Sequence, residues 1–465
     1  MTKTTMDQIV SFCKRRGFAY PGSAIYGGFA NSYTYGPYGT ELKKNIKDLW
    51  WDTFVRQRED MVGIDGDILL HPRTWKASGH LDSFNDQLVD CKNCKARLRA
   101  DHLVEGQLDI ECEGLADEDV TKLIEENDIK CPKCGKKDFT PVRKFNLMFE
   151  TQMAKTHSAS SGQAADGVAY LRPETAQAIF LEFKNIVDTM RVKLPFGIGQ
   201  IGKAFRNEIT PGNFIFRRLE FEQMEIEYFI EEKDWKSQFD AWQKAMQQWC
   251  KSIGLDSDKL HDYEHPEEKL SHYSKRTVDI EYDFPFGRSE LYGLAYRTDF
   301  DLSQHEQFSK QTLRIHDEQK GEKILPHVIE PTFGVDRTIL ALLCDGYTEE
   351  KLDDGSERVV MKLSPLIAPV KVAVLPLLKK DGLPEKAREV FTLLQHFGNI
   401  EYDEGGSIGK RYRRQDEIGT PVCVTVDHDS LEDESVTIRD RDNMQQERVK
   451  ISELAKKLGK KYFSQ

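Results

Sequence analysis

The stretch from Phe205 to Phe229, FRNEITPGNFIFRRLEFEQMEIEYF, constrains the fold more than any other part of the chain. Charged and apolar residues alternate along its second half, and TPGN supplies turn chemistry in its middle. Successive side chains of a strand point to opposite faces. The pattern therefore predicts two strands between Gly202 and Ile230, with Arg206 and Glu208 on one face and Arg217, Leu219 and Phe221 also sharing a face.

An arginine and a glutamate beside an aromatic ring suit a bound nucleotide. A guanidinium group binds phosphate through paired hydrogen bonds, a carboxylate accepts from the amino group of adenine, and a ring stacks on the base. A charged hairpin held by cross-strand ion pairs would show the same pattern. Taken alone, the stretch leaves both interpretations open.

Two glycine-rich strings do not predict a phosphate-binding loop. Gly197, Gly199 and Gly202 form a literal GxGxxG, but KAFRNE follows it as a strand where a dinucleotide site needs a helix. GSIGKR, which contains Gly409 and Lys410, lacks the spacing and the Ser or Thr of a P-loop.

Four cysteines in two CxxC pairs, Cys91 with Cys94 and Cys131 with Cys134, predict a structural Zn²⁺ site. We expect an inserted zinc-ribbon-like module from about residue 85 to 145. The alternative is a module that has lost its metal. Cys112 has no paired cysteine and is not expected to be a ligand.

The 465 residues are too many for one core and predict two or three domains. Nine cysteines without a signal-like N-terminus predict a cytoplasmic protein, and no run approaches the roughly 20 apolar residues of a membrane span. The net charge of −12 argues against indiscriminate nucleic-acid binding. Basic and acidic residues balance from Pro365 onwards, as in a separate domain with its own partner.

Other elements follow from periodicity and turn residues. A helix is predicted from Thr40, as N-cap, to about Arg58, and another from Pro173. AKTHSASSGQAADG reads as a mobile loop, and YTEEKLDDGSERVV as the linker before Met361. The tail alternates as βαβαββα, typical of a small α/β domain, and carries a basic cluster of Lys410, Arg411, Arg413 and Arg414.

The hairpin resembles motif 2 of class II aminoacyl-tRNA synthetases, in which an FRxE strand and an RxxxF strand bind ATP. IEPTFGVDRTILALL is similar to their motif 3, with Arg337 near the start of its helix. The Thr40–Arg58 helix with VGIDGDILLHP resembles motif 1, which forms the dimer. The class I strings HIGH and KMSKS are absent.

Within that class, the chain resembles the homodimeric glycyl-tRNA synthetase family from end to end. The pieces that carry the resemblance are YGPYG, RADHL, LRPETAQ, FEQMEIEYF, AYRTDFDL and IEPTFG, and in the tail GSIGKRYRRQDEIGTPVCVTVD. Two departures are Thr332, where the family usually has Ser, and Asp336, where motif 3 generally has Glu.

The resemblance implies an α+β catalytic domain with a central antiparallel sheet over residues 1–360, with insertions at about 85–145 and 231–325. It implies an α/β anticodon-binding domain over 361–465. Arg206 would hold the α-phosphate of ATP, Glu208 the adenine amino group, Phe221 the adenine ring and Arg337 the γ-phosphate, with Arg206 and Arg337 as the catalytic pair. The full ATP site would comprise Arg206, Asn207, Glu208, Phe216, Arg217, Arg218, Leu219, Glu220, Phe221, Glu290, Leu291, Gly334, Val335, Asp336 and Arg337.

The resemblance also implies that Glu174, Glu225 and Glu330 surround the ammonium group of glycine, with Thr332 nearby. The full glycine site would comprise Arg99, Glu174, Phe221, Glu222, Gln223, Met224, Glu225, Arg297, Glu330, Pro331, Thr332, Phe333 and Gly334. A small pocket lined by carboxylates suits an amino acid that lacks a side chain, because a methylene by itself supplies only about 1–3 kcal/mol of discrimination.

The implied reaction is the ATP-dependent joining of glycine to tRNA-Gly through glycyl-adenylate. Glycine's own carboxylate attacks the α-phosphorus, so catalysis consists of positioning and of neutralising phosphate charge with arginines and Mg²⁺. The competing hypothesis is a non-catalytic, dimeric accessory protein that binds nucleic acid. The presence of Arg206, Glu208, Phe221 and Arg337 favours the enzyme.

Overall fold

The computed structural model describes residues 4–463 except 31, 109, 111, 113, 155–166, 210–211, 318–320 and 353. The elements before the inserted module are α1 Met6–Arg16, β1 Ala19–Pro21, β2 Tyr33–Tyr35, α2 Pro37–Trp51, β3 Met61–Ile64, β4 Leu69–Leu70, α3 Pro72–Ala77 and α4 His80–Ser83. The prediction that a helix starts at Thr40 was wrong. Pro37 occupies the first turn, where its missing N–H costs nothing, and a π-helical turn, Asp52–Arg56, ends the helix.

The inserted segment has its own small sheet and core. Its elements are β5 Asn85–Asp90, β6 Arg97–Arg99, α5 Ala100–Leu108, α6 Asp117–Glu126 and β7 Arg143–Asn146. The three strands pair antiparallel in the order β6-β5-β7. Val89, Val104, Val120 and Ile124 are buried together beneath them, separately from the core of the main sheet.

The following part of the chain supplies most of the central sheet. Its elements are β8 Glu150–Gln152, β9 Val168–Leu171, α7 Ala176–Met190, β10 Phe196–Phe205, β11 Glu220–Ile230, α8 Trp235–Ser252, β12 Leu260–Glu264, β13 Arg276–Phe284, β14 Gly287–Thr298, α9 Phe300–Ser309, β15 Ile315–Asp317, β16 Glu322–Ile324, β17 His327–Gly334 and α10 Val335–Gly346.

Seven strands form the central sheet, in the order β12-β13-β14-β17-β11-β10-β3. All neighbouring pairs are antiparallel except β10 and β3. β12, β13 and β14 come from the segment expected to be a second insertion at about 231–325, and they are members of this sheet. The two predicted strands of the Gly202–Ile230 stretch are its neighbours β10 and β11.

The two faces of the sheet differ in polarity. On one face Trp50 of α2, Met246 of α8 and Leu340 of α10 pack against Met224 and Phe333 in the largest apolar core. On the other face α7 covers an apolar patch near β10. The rest of that second face carries the polar residues that form the site.

The helix expected to start at Pro173 begins only at Ala176. Pro173 and Glu174 lie before it, and the carbonyl of Pro173 accepts a hydrogen bond from Arg206 Nε at 3.1 Å. Contacts with the site therefore outweigh the usual preference of proline for a first helical turn. Most of the predicted AKTHSASSGQAADG loop lies outside the described residues.

The C-terminal part comprises β18 Tyr347–Lys351, β19 Glu357–Met361, β20 Val372–Pro376, α11 Leu383–Leu394, β21 Ile400–Tyr402, α12 Ile408–Ile418, β22 Val422–Val426, α13 Asp429–Asp433, β23 Ser435–Asp440, β24 Gln446–Lys450 and α14 Ile451–Leu458. A five-stranded sheet runs β21-β20-β22-β23-β24. The predicted βαβαββα order missed β24 and the short helix α13. The predicted linker is wrong too, because β18 and β19 form an antiparallel hairpin.

That hairpin is joined to the tail through Arg358. Its buried guanidinium group pairs with Glu350 at 2.7 Å within the hairpin and with Asp416 of α12 at 3.0 Å. Asp416 also pairs with Arg439 of β23 at 2.8 Å. Among the described residues, no helix is long and apolar enough to cross a membrane.

The four basic residues of the predicted cluster lie on different sides of α12, as helical periodicity suggests. Arg411 is 2% exposed, and its guanidinium group donates to the carbonyls of Pro376, Leu377 and Asp403. Arg411 therefore holds the helix against the sheet. Lys410 and Arg413 are exposed.

Candidate active site

A cavity of about 260 Å³ lies where β11, β14, β17 and the start of α10 meet. Most of the residues predicted to bind ATP line it, although they are spread over more than a hundred positions of sequence. The lining comprises Arg206, Glu208, Phe216, Arg217, Arg218, Phe221, Glu222, Gln223, Glu290, Leu291, Thr332, Gly334, Asp336 and Arg337.

Arg206 follows the last residue of β10, so its side chain extends from the end of the strand into the cavity. Its guanidinium carbon lies 5.3 Å from the ring centre of Phe84 and 5.4 Å from that of Phe221. Two rings thus flank a cation that makes one hydrogen bond to a carbonyl, and its other N–H groups can bind an anion.

Arg337, in the first turn of α10, forms the opposite wall. It pairs with the Glu290 carboxylate at 2.8 Å, and its guanidinium carbon lies 4.4 Å from the ring centre of Phe216. The charge of Arg337 lowers the pKa of Glu290. The cavity therefore has an arginine against an aromatic ring on each side.

Asp336 organises the base of this cavity. It accepts from Arg218 Nη1 at 2.5 Å, from the Tyr35 hydroxyl at 2.5 Å and from the backbone N–H of Glu222 at 3.0 Å. Burial opposes ionisation of Asp336, but Lys43 and Arg218 outweigh it and lower its pKa. The aspartate thus fixes Arg218, and with it the loop before β11.

Four residues predicted to bind ATP do not line the cavity. Asn207 hydrogen bonds through its backbone to Leu147, and Val335 is buried in the apolar core. Leu219 and Glu220 line a different cavity, beside Phe29 and Phe149. The predicted alternation fails here because β10 ends at Phe205 and β11 starts only at Glu220, so Arg206, Glu208, Arg217 and Leu219 are outside the strands.

A buried cluster of acidic residues around Glu225 and Glu330, called the acidic pocket below, adjoins the cavity across Thr332. The Thr332 hydroxyl donates to Glu225 Oε1 at 3.0 Å, and the Thr175 hydroxyl donates to Glu225 Oε2. Glu225 is only 1% exposed. Burial and the charge of Glu174 raise its pKa. The pocket therefore already favours a positive charge.

Arg297 on β14 is the cation that holds this pocket together. Its Nε and Nη2 donate to the two carboxylate oxygens of Asp301 at 2.7 and 2.9 Å, and its Nη1 donates to Glu330 at 2.8 Å. Burial nevertheless outweighs the opposing charge of Arg297 and, with smaller contributions from Glu225 and Glu174, raises the pKa of Glu330 to about 8.

Glu174 enters the pocket from the loop before α7. Gln177 donates to it at 3.0 Å, and His80 Nε2 lies 3.3 Å from its other oxygen. Burial opposes ionisation, but His80 and Arg297 lower the pKa of Glu174 well below its usual range. The three predicted glutamates are thus brought together from three separate elements.

The remaining residues of β11 and β17 that were predicted to bind glycine fall into three groups. Phe221, Gln223 and Gly334 line the adjoining cavity. The side chains of Met224 and Phe333 are buried in the apolar core on the opposite face, and Pro331 shares that alternation. Glu222 is not available to an ammonium group, because Lys43 and Lys47 of α2 pair with its carboxylate.

Arg99 does not enter the acidic pocket. Its guanidinium group pairs with Asp101 and lies 3.4 Å from Asp86 within the inserted module. Burial lowers its pKa, but Asp101, Asp86 and Glu208 outweigh that effect and raise it. Glu208, which lines the ATP cavity, is thus one of the charges that act on Arg99.

The four cysteines of the inserted module converge. The Sγ atoms of Cys91 and Cys134 are 3.7 Å apart, as are those of Cys94 and Cys131, and all four lie within 4.8 Å of one another. Four sulfurs about 2.3 Å from a tetrahedral Zn²⁺ would be about 3.8 Å apart, whereas a disulfide needs about 2.05 Å. Cys112 is buried in the module but is not part of this cluster.

Several site residues were not predicted from the sequence. Glu227 lies two positions after Glu225 on β11, and that spacing was a signal that the two side chains share a face. Asp279 lies near the ATP cavity, since a Cβ built on Gly293 would be 3.7 Å from Asp279 Oδ1 and 3.9 Å from Glu290 Oε1. His80 and Thr175 are each brought in by tertiary contacts, and nothing in their local sequence indicates a site.

Three family models match the chain. A tRNA synthetase class II core domain (G, H, P, S and T) matches residues 162–345, a glycyl-tRNA synthetase insertion domain 1 matches 110–147, and an anticodon binding domain matches 371–461.

Curated relatives match over nearly the whole length. The chain is 52% identical over 462 residues to the glycine–tRNA ligase of Geobacillus thermodenitrificans, which covers 98% of this chain and 97% of the relative. It is 51% identical over 465 residues to that of Alkaliphilus oremlandii, covering 99% of both. It is 53% identical over 457 residues to that of Acetivibrio thermocellus, covering 97% of both.

Proposed function

Because the chain belongs to the glycine–tRNA ligase family of class II aminoacyl-tRNA synthetases, we propose that the cavity between Arg206 and Arg337 binds ATP and that the acidic pocket binds glycine. The chain joins glycine to tRNA, with ATP as the other substrate. One observation carries the assignment of the two sites. Thr332 lines the first cavity and hydrogen bonds to Glu225 in the second, so the two share a wall.

We propose that adenylate formation needs no side-chain nucleophile. The ammonium group of glycine lies among Glu174, Glu225 and Glu330, which directs its carboxylate towards the ATP cavity. That carboxylate attacks the α-phosphorus, and pyrophosphate leaves. Arg206 holds the α-phosphate, and the shared wall fixes the two substrates in contact, which is the main source of rate in such a reaction.

The rest of the nucleotide is held by the cavity walls. Glu208 accepts from the adenine amino group, Phe221 stacks on the ring, and Arg337 binds the γ-phosphate. Arg337 exchanges its ion pair with Glu290 for phosphate when ATP binds, since phosphate carries more charge than a carboxylate.

Class II synthetases use ATP together with Mg²⁺, and two carboxylates here fit that ion. Glu290 and Asp279 both approach the space above Gly293, and a hard cation prefers carboxylate oxygens. Burial and the neighbouring Glu290 raise the pKa of Asp279 to about 6. We propose these two residues as the Mg²⁺ ligands; the ion would neutralise phosphate charge.

The inserted module is proposed to be zinc-ribbon-like, with Zn²⁺ bound by Cys91, Cys94, Cys131 and Cys134. The support is the agreement between the observed Sγ separations and those of a tetrahedral site. The ion would supply structure only, because all four positions are filled by protein.

We also propose a cytoplasmic homodimer with a catalytic domain over residues 1–360 and an anticodon-binding domain over 361–465. Ile25, Tyr26 and Phe29 are 87%, 88% and 73% exposed close to motif 1, and exposed apolar groups of this kind mark interaction surfaces. The cytoplasmic assignment is supported by the nine cysteines, all of which are described and none of which forms a disulfide.

The decisive experiment for the two sites is ATP–pyrophosphate exchange with glycine as the only added amino acid. We expect exchange that depends on glycine and on both Arg206 and Glu225. Exchange that survives loss of Glu225 unchanged would overturn the glycine pocket. An absence of any exchange by the wild-type protein would favour the accessory protein instead.

A further inference from the structure

Glu227 is a buried acid of the acidic pocket to which the proposed glycine site gives no role. It is 0% exposed, and within the described part of the chain neither of its carboxylate oxygens has a hydrogen-bond partner. Its neighbours differ in this respect, since Glu225 accepts from two threonines and Glu330 accepts from Arg297. A buried carboxylate without a partner is too costly to be retained in that form.

The register of the sheet sets Glu227 against Glu330. Pairing of Glu225 with Thr332 and of Tyr228 with Ile329 places Glu227 directly opposite Glu330 across β11 and β17. Carboxylate oxygens of Glu225, Glu227 and Glu330 lie within 4.8 Å of one another. Like charges opposite each other destabilise a sheet, and two carboxyl groups so close do not both ionise.

Among the residues that the structure describes, no neighbouring cation pairs with Glu227. Arg297 of β14 already donates to Asp301 of α9 and to Glu330. The other groups whose charge acts on Glu227 are acids, including Glu225 on its own strand. On the side of β10 its cross-strand neighbour is the apolar Ile198.

We propose that Glu227 is a neutral carboxylic acid whose proton is donated towards the Glu330 carboxylate, which fixes Glu330 as an acceptor for the ammonium group of glycine. A protonated carboxyl group has one O–H donor, and the separation suits a small side-chain rotation or one bridging water. Glu227 is then a positioning residue, which acts on the substrate through Glu330. This inference rests on the proposed glycine pocket.

The ionisation of the pocket agrees with this arrangement. Burial and the adjacent Glu330 raise the pKa of Glu227 well above its usual range, while the pKa of Glu330 is raised to about 8. Without glycine, this raised pKa leaves the ionisation of Glu330 incomplete at neutral pH. The incoming ammonium group favours the ionised form, so glycine binding releases a proton. The KM for glycine is therefore expected to decrease as the pH rises from 6 to 8. The decrease is at most about tenfold per pH unit, because one proton is released.

The test compares Glu227→Leu with Glu227→Gln, and uses Glu225→Gln as the reference for loss of a direct contact. Leucine removes the donor and should raise the KM for glycine about tenfold, with the KM for ATP unchanged. Glutamine keeps a neutral donor and should restore most of that loss, whereas Glu225→Gln should raise the KM by about a hundredfold. If Glu227→Gln behaved like Glu225→Gln, Glu227 would be an ionised ligand of glycine and the proposal would be overturned.

A spectroscopic measurement does not depend on activity. Infrared difference spectra of Glu227→Gln against wild type, both without substrates at pH 7, should show loss of the carbonyl band of a protonated carboxylic acid. Retention of that band in full would overturn the proposal even if the leucine variant failed to fold. Failure of the glycine pocket itself would appear differently, as Glu225→Gln leaving the KM for glycine unchanged.

Discussion

Arg206 has the clearest individual role in the cavity, because two aromatic rings hold a cation whose free donors face the space proposed for the triphosphate. Replacing Arg206 with alanine should lower the rate of pyrophosphate exchange by about 10²–10³ without unfolding the protein, which is the usual cost of one charge-stabilising donor.

Lys203 is the matched control for that variant. It lies on the same strand and pairs with the exposed Glu220, away from the cavity. Lys203→Ala should leave exchange unchanged. An Arg206→Ala rate within about threefold of wild type would remove Arg206 from the phosphate site.

The hydroxyl of Thr332 connects the two pockets by donating to Glu225 at 3.0 Å. Thr332→Val keeps the shape but removes the donor, and should raise the KM for glycine about fivefold to tenfold. Thr332→Ser retains the hydroxyl and should behave as wild type. Equal KM values for the valine and serine variants, measured by glycine-dependent exchange, would show that this hydrogen bond does not orient Glu225.

The sequence predicts single site residues well where a motif holds them and poorly where tertiary contacts do. Arg206, Phe221 and Arg337 lie in recognisable strings, and all three line the cavity. His80 precedes the inserted module and meets Glu174 only because the chain folds back. Glu222 fits the motif, but its carboxylate pairs with Lys43 and Lys47 of α2, a tertiary contact that a local pattern does not reveal.

At the scale of elements, the inserted module depends on its cysteine cluster. Protein purified without chelator should contain about one Zn²⁺ per chain, and Cys91→Ser should lose most of it and lower the melting temperature, because structural zinc contributes folding energy directly. Metal analysis by mass spectrometry and calorimetry would measure the two effects.

Cys112→Ser provides the matched control within the same module. Cys112 is buried beside the cluster but is not part of it, so this variant should keep its zinc. A zinc content below roughly a tenth of an equivalent in folded, active wild-type protein would contradict the structural-zinc hypothesis.

Element types were easier to predict than element limits. The alternation of the sequence predicts β10 and β11. The helix α7 starts three residues after Pro173, because Glu174 lies in the acidic pocket and accepts a hydrogen bond from Gln177. β24, QERVK, has a single buried residue, Val449, and so lacks the apolar run by which its neighbours were recognised. The segment YTEEKLDDGSERVV was interpreted as a linker because it is charged. Cross-strand pairing of β18 with β19 stabilises it as a hairpin, and composition alone does not predict this pairing.

For the whole molecule, the tail is proposed to bind tRNA while the catalytic domain forms glycyl-adenylate. Lys410→Glu, at an exposed site on α12, should raise the KM for tRNA. It should also reduce the slope of log affinity against log salt by about one unit, the value for one lost phosphate contact. Pyrophosphate exchange should not change. Loss of both activities together would mean that the tail belongs to the catalytic unit.

Two further substitutions serve as controls for the Lys410→Glu test. Lys244→Glu, on an exposed position of α8, should change neither activity. Arg411→Glu should instead destabilise the tail by about 3 kcal/mol, because a buried carboxylate would face three carbonyl acceptors. Thermal unfolding followed by circular dichroism would distinguish this effect from a loss of RNA contacts.

The side chains of Met224 and Glu225 point to opposite faces of the sheet. The exact number of residues in β11 therefore matters for the acidic pocket as much as their identity. One inserted or deleted residue near Glu220 would turn Met224 and Ile226 into the acidic pocket and press the carboxylates of Glu225 and Glu227 into the apolar core. Insertions and deletions are therefore expected at exposed turns such as that at Gly355. Within β11 they would abolish the activity of the enzyme.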